Sequence, residues 1–371
     1  MRHKTLLQYC FLLYILFAAA CSEPEKPVTK EEAAAMAKSL KTNIAHRKSN
    51  WFNEVLDIKA FESRIREAAH NKVNETMLKG AMKSIESGDF GEQVIKALGK
   101  RGSYELVKQY EKNNHQHLVF RMYNEQLNYH DFELIKKGDK IKIADIFIYT
   151  TGENLSASIG ESLMSMNEQL SAVSKVDPQE LQKIQLIKSY MQRKDGEKAS
   201  ELYKSLPGLL RAQKLYKIMY IQIASDLGND EYLAALNKFQ QEYPDAPNMY
   251  LLMIDAYFLK KDFPGALRCV NSLDSLINKD PFLDFYRAVI YKQNNDPANA
   301  LVCLEKLHQY MPDFGTGTLQ LINAYLDEKQ LDKAVALTQS YKKGKDVDDQ
   351  TLEALYLMYP GYKKKMETTT E

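Results

Sequence analysis

Cysteine is scarce in this chain, with four in 371 residues. That excludes a disulfide-stapled scaffold, which packs several pairs into a far shorter chain. An excess of one charge is also lacking. Fifty Lys and Arg stand against 49 Asp and Glu, a formal net charge of +1; a nucleic-acid binder normally shows a basic surplus. The apolar run from Leu6 to Phe17 falls short of the roughly 20 residues a helix needs to cross a bilayer. There is no phosphate-cradling glycine loop, no nucleophile elbow and no pair of carboxylates at catalytic spacing, so no cofactor is expected. What remains is a globular mixture, 44% apolar and 27% charged, long enough for two domains or for one domain and a repeat array.

The amino terminus carries an address. Arg2, His3 and Lys4 precede the apolar run; Ala18, Ala19 and Ala20 follow it, and then Cys21. A basic start, a short apolar core and a small-residue cleavage zone make a secretory signal peptide. The three alanines before a cysteine resemble the lipobox of bacterial lipoproteins, with Ala18 where Leu is usual. The resemblance implies cleavage before Cys21, a diacylglycerol on its thiol and a chain tethered to an envelope membrane. Several acyl chains anchor firmly, since each buried CH₂ contributes about 0.8 kcal/mol. Residues 21–30, with Pro24 and Pro27, read as a polar tether. Ser22 is not the Asp that retains enteric lipoproteins at the inner membrane. The acidic stretch beyond the cysteine resembles the surface-export signal of Bacteroidetes lipoproteins. The expectation is the outer membrane, with its face left open.

The second half repeats itself. Tyr257, Tyr291 and Tyr325 are 34 residues apart, and so are Ala266, Ala300 and Ala334. Tyr190 and Ala199 keep the same offset of nine. Pro264 and Pro297 fall at turns within units, and Pro244 and Pro312 close units. A bulky residue on a first helix facing a small one on a second resembles the tetratricopeptide repeat over about 175–345. The best units are 247–280, 281–314 and 315–345, with weaker ones at 180–212 and 213–246. The family's preferred Trp and Gly of the first helix are missing. Gln350 to Tyr359 reads as a capping helix within 346–371, and Lys363, Lys364 and Lys365 as a solvated tail. Cys269 and Cys303 occupy equivalent places on successive second helices. Packed helices stand about 8–10 Å apart, too far for a disulfide.

The first half, 31–170, reads differently. Glu31 to Lys48 and Trp51 to Ser87 favour helix, with Val55, Ile58, Phe61 and Ile65 at helical spacing. Trp51 is read as a core anchor. Gly88, Gly91, Gly99 and Gly102 then break the pattern. Four strands follow: Tyr104 to Lys112, Gln116 to Asn124, Leu127 to Lys136 and Lys140 to Thr151. Asn113-Asn114 and Lys137-Gly138-Asp139 make turns between them. The fold class is therefore α+β: helices on a four-stranded antiparallel sheet, then an all-α solenoid. The segments Phe120-Arg121-Met122-Tyr123, Asn128-Tyr129-His130-Asp131-Phe132 and Ile143-Ala144-Asp145-Ile146-Phe147 resemble the NTF2-like or cystatin-like group over about 30–165.

Two kinds of site are foreseen. In tetratricopeptide-like arrays the first helices line a concave wall. That would expose Lys188, Met191, Asn248, Leu251, Asp255, Phe258, Phe282, Phe285, Lys292 and Asn323 to a protein or peptide partner in the envelope. Phe282 and Phe285 would be aromatic anchors, or else pack between repeats. Leu251, Phe285 and Leu319 stand where a carboxylate-gripping clamp would need polar residues. Within the sheet, strand alternation puts His130 and Asp145 on apolar faces, and a shared pocket would make an acid/base pair. His115 and His117 point the same way and could be half of a metal site, but no neighbour in the chain completes the ligand set. The main reading is a membrane-anchored scaffold or assembly factor without catalysis; the alternative is a small-ligand binder or enzyme in the sheet domain. A role in glycan uptake is a third reading, which the single Trp does not favour.

Overall fold

The computed structural model describes residues 27–370 apart from Arg101, Glu125, 173–177, Asp245, 247–248 and 345–346. The leader, Cys21, most of the tether, Pro247 and Asn248 lie outside the described residues. Among the described residues no helix is long and apolar enough to cross a membrane.

Helix α1, Lys30–Ala45, starts on a capping box in which Thr29 and Glu32 satisfy each other's backbone N–H groups. Its Ala33, Met36, Ala37, Leu40 and Ile44 recur at helical spacing and are buried. Helices α2 (Trp51–Val55), α3 (Ile58–Ala68), α4 (Glu75–Glu86) and α5 (Asp89–Leu98) follow. The last was not foreseen. Two of the four glycines do not break the chain there; they bracket a helix, with left-handed φ at Gly88 (96°) and positive φ at Gly99 (54°). Gly91 lies inside α5, where a Cβ would stand 1.9 Å from the Ser49 carbonyl oxygen.

The antiparallel sheet runs β1 (Ser103–Lys112), β2 (His115–Asn124), β3 (Gln126–Lys137), β4 (Lys140–Ile148) and β5 (Glu153–Asn154), with strand order equal to chain order. The four long strands are those read from the sequence; the two-residue fifth strand is an addition. Asn113 and Asn114 both take positive φ, 52° and 63°, which suits the tight turn of a right-twisted hairpin. Helix α6, Leu155–Ala172, returns across α3. One face of the sheet packs under these helices. Leu118, Phe120, Phe132, Leu134, Ile143 and Ile146 meet Trp51, Phe52, Phe61 and Ile65, all fully or almost fully buried. Each such side chain contributes about 1.5–3 kcal/mol of apolar burial. Trp51 sits at the centre, edge-on to Phe52, Phe90 and Phe132.

The rest is a stack of helical hairpins. They are α7/α8 (Pro178–Gln192, Gly196–Lys204), then, after the short α9 (Gly208–Ala212), α10/α11 (Lys214–Ser225, Asn229–Glu242) and α12/α13 (Met249–Leu259, Phe263–Leu276). The stack continues with α14/α15 (Leu283–Gln293, Pro297–Tyr310), α16/α17 (Gly315–Asp327, Leu331–Tyr341) and α18/α19 (Asp349–Met358, Pro360–Thr370). The second helices starting at Asn229, Phe263, Pro297 and Leu331 are each 34 residues apart. The turn chemistry repeats as well. Lys261, Asn295 and Lys329 take left-handed φ of 55–58°, and Asp262 and Asp296 then cap the next helix through Gly265 and Asn299 N–H. Ala266, Ala300 and Ala334 are buried at the close approach of paired helices. The fold is thus α+β with a tetratricopeptide-like solenoid behind the sheet. Residues 360–370 are not a tail. Tyr362 and Met366, one turn apart, reach the core of the last hairpins, where the Tyr362 hydroxyl pairs with Thr338.

Candidate functional site

The second face of the sheet turns toward the array. On β2 and β3 the helix-facing residues are Leu118, Phe120, Met122, His130 and Phe132, so Val119, Arg121, Tyr123, Tyr129 and Asp131 point the other way. One half of this face is covered by the turns that join hairpins. Arg121 donates from one guanidinium nitrogen to both Asp280 oxygens, at 2.6 and 2.8 Å. Asp280 also accepts from Tyr129 O–H at 3.0 Å and Phe282 N–H at 3.0 Å. Phe282 lies under the Arg121 guanidinium, 4.5 Å from its centre to the ring, and packs against Tyr123. Tyr123 also meets Phe314, at the next turn.

The other half of the face is an open cleft of about 670 Å³, closed at one end by Leu276 and Ile277. Strand register assembles its polar floor. His117 stands opposite Glu133 and diagonal to Asp131, and Glu133 stands opposite Asp145. His117 Nδ1 is 3.1 Å from Asp131 Oδ1, and Tyr110 donates its hydroxyl to Asp131 Oδ2. The Tyr110 and His117 rings stack at 4.8 Å. Glu133 is held by both terminal nitrogens of Arg64, at 2.6 and 2.8 Å, and by His115 Nδ1. Burial alone would raise the Glu133 carboxyl, but Arg64 and His115 outweigh it and hold its pKa at about 2. Asp145 accepts from Ser156 O–H and the Ile146 N–H, with Arg64 at 3.7 Å. Here burial prevails and its pKa is raised.

The foreseen pairing of His130 with Asp145 does not form, because the two point to opposite faces. The cause is one residue. Glu133 pairs with Asp145 and Leu134 with Ile143, which leaves Ala144 as an unpaired bulge. Before the bulge Ile143 faces the helices; after it Asp145 and Phe147 face the array while Ile146 and Ile148 face the helices. Simple alternation along β4 therefore misplaces Asp145. His130 is buried among Phe90, Phe120 and Phe132. The Asn128 carbonyl accepts from Tyr129 and Thr150 N–H, which turns its amide nitrogen to His130 Nε2 at 3.1 Å. The His130 proton is therefore on Nδ1, donated to the Tyr104 oxygen at 2.8 Å. Burial drops the His130 pKa to about 4, so it is a neutral structural group.

His115 and His117 do share a face, and the acidic partners that the local sequence could not supply come from β3. Among the described residues, however, no group of three or more His, Cys, Asp or Glu side chains is arranged to hold a metal ion. Tyr110, Asp131, Glu133 and Arg64 were not singled out from the sequence. The signal was there: polar residues at every second place in 115–117 and 131–133 match only when the register is known. Ser156, at the start of α6, fixes Asp145.

The residues foreseen for the array's inner wall are scattered. Phe282 is not an exposed anchor; it precedes α14 and is 1% exposed, beneath Tyr123 and Arg121. Leu251 is half-buried in the core shared with the sheet. Phe258 packs on Phe263, and Asp255 accepts from Tyr232 O–H at 3.0 Å. Lys188 is exposed on α7 and Met191 packs within the first hairpins. Phe285, Lys292 and Asn323 come together, lining a pocket of about 310 Å³ between α14 and α16 with Val289, Gln320 and Asp327. Lys292 Nζ reaches Asp327 at 3.3 Å across it. Cys269 and Cys303 carry free thiols, raised to about 11 by burial.

No family model matches the chain, and no curated protein matches it. Among solved structures, the crystal structure of the yeast Tom70 is similar over 57% of this chain and 47% of that chain, at 15% identity and a TM-score of 0.37. The chain thus spans about half the length of that one. A likeness at this TM-score carries neither a partner nor an activity to this chain.

Proposed function

We propose that this chain is a membrane-anchored, protein-binding scaffold or assembly factor of the bacterial cell envelope. The anchor is the lipid expected on Cys21; the working surface is the free stretch of the hairpin array. The observation that carries the reading is the pocket between α14 and α16. After the sheet has covered Phe282 and the turn at Phe314, Phe285, Val289, Lys292 and Asn323 still line open space. Val289 is an exposed apolar side chain there. The occupant that fits is an extended polypeptide segment that seats an apolar side chain beside Phe285 and exchanges backbone hydrogen bonds with Asn323 and Gln320. The lipid would hold this surface near other envelope proteins and raise their local concentration.

The test is photo-crosslinking in intact cells from a reactive residue at Gln320, with Val302 on the outer side of α15 as the control position. A discrete protein adduct from Gln320 that Phe285→Ala removes is the expected result. The same adducts from both positions would overturn it. The anchor is tested separately: Cys21→Ala should move the protein from the membrane to the soluble fraction.

A further inference from the structure

We propose that the open half of the array-facing side of the sheet binds a neutral polyhydroxylated ring: a single sugar or the end of a sugar chain. The proposal stands apart from the reading of the array and uses none of its residues. The first support is size. About 670 Å³ lies in the range of roughly 300–1,000 Å³ typical of small-molecule sites.

The second support is charge. Asp131, Glu133 and Asp145 line the cleft together with Lys108 and Lys112, and Arg64 reaches Glu133 and Asp145 beside it. Three negative groups meet three positive ones. A ligand of either sign would leave its charge without a net counterpart in a partly desolvated cleft, which is costly. A neutral ligand avoids that cost.

The third support is the pattern of hydrogen-bonding capacity. Among the described residues Asp131 accepts from Tyr110 and His117, and a carboxylate offers about four lone-pair positions. Because Asp131 can only accept, His117 Nδ1 donates to it, and Nε2 is left for a further partner in a residue that lines the cleft. Lys108, Lys112 and Asn154 bring donors to the rim. Donors and acceptors thus line the same cleft. A ring hydroxyl, with one donor and two acceptor positions, matches that mixture; a hydrocarbon or a simple ion does not. The floor groups Asp131, Glu133 and Asp145 are held by their own partners before any ligand arrives, which lowers the entropy lost on binding.

The fourth support is the wall. Phe147 and Tyr149 stand edge to face at 5.2 Å and line the cleft beside its polar floor. Such rings give an apolar surface to the C–H face of a sugar while its hydroxyls turn to the floor.

The experiment is calorimetric titration of the full chain in detergent micelles with glucose, N-acetylglucosamine and maltose. Benzylamine and benzoate serve as cationic and anionic ring controls. Saturable binding of at least one sugar, and of neither control, is expected. His117→Ala and Phe147→Ala should each weaken it by about tenfold, the size of one lost hydrogen bond or ring contact. Lys292→Ala, in the array, should leave it unchanged. Maltose binding more tightly than glucose would support a chain end, and equal binding a single ring. If His117→Ala does not fold, as judged by circular dichroism, the exposed Asn154→Ala takes its place, with a smaller loss expected. No saturation with any of the three sugars, binding of a charged control alone, or sugar binding that survives both substitutions would overturn the proposal.

Discussion

The two sides of the sheet share their strands and their alternation, yet one is dry and continuous while the other changes character halfway along. Under α1 to α6 the contacts are mostly apolar, and the buried polar side chains include His130, which pairs with Tyr104 and Asn128, and Gln116, which pairs with Gln109 and Glu111. Toward the array, the covered half is held by a buried ion pair and the open half by carboxylates shared among His, Tyr and Arg. The difference shows where specificity resides. Apolar burial fixes that something packs; the Arg121–Asp280 pair fixes which turn of the array the sheet meets.

The sharpest way to break this arrangement is Asp280→Ala. It leaves Arg121 charged in a site where its side chain is only 5% exposed and deprives Tyr129 of its acceptor. A loss of about 3–5 kcal/mol is expected from the urea midpoint. The double change Arg121→Met with Asp280→Leu should restore much of it, since no charge is then stranded. A single variant as stable as the unaltered chain would mean that the pair does not join the two parts.

The helix-facing side makes the next prediction. His130 titrates near 6.5 when unfolded and at about 4 when folded. Between those values the unfolded chain holds the extra proton, so stability is full above about pH 6.5 and falls as pH drops toward 4. The loss between pH 6.5 and 4.5 should be about 2–3 kcal/mol, and His130→Gln should flatten it. Glu133, held at about 2, acts in the same direction but in a lower window. Its stabilisation is present above about pH 4.5 and is lost as pH falls through 2, so the two groups separate on the pH axis.

The smallest effect belongs to the open half. Tyr110→Phe removes one donor from Asp131 while His117 remains. About 1 kcal/mol is expected by denaturant titration, well below the cost on the covered half. A cost as large as that of Asp280→Ala would make the cleft a structural joint and remove the contrast.

The repeats were legible because their causes are local. Each hairpin needs a bulky residue, a small residue nine places on and an Asp or Pro at the turn, and all fall within one period of 34. The four long strands were legible from alternation and from Asn113-Asn114 and Lys137-Gly138-Asp139. Three features were not. The bulge at Ala144 depends on pairing with β3, and nothing in Ile-Ala-Asp marks one residue as extra. Arg121 and Asp280 are 159 residues apart, and each looks like an ordinary surface charge. Phe282 reads as an anchor or as packing between repeats; it packs on Phe285 and Phe314, but the sequence does not show that Tyr123 of the sheet will cover it too. The cleft shares this limit: its chemistry comes from register across strands.

The Arg121–Asp280 contact has a mechanical corollary. The sheet touches the array at the turns around Asp280, Phe282 and Phe314, while the core of the last hairpins, from Leu319 to Met366, contains no sheet residue. The molecule is thus an arm held along its inner half, at the Arg121–Asp280 turn, at the Lys214–Glu153 pair between α10 and β5 and at Lys96–Gln192 between α5 and α7, with its outer hairpins packed on one another. A load at the tip of α16 to α19 would therefore be shared among several holds, one of which reaches α5.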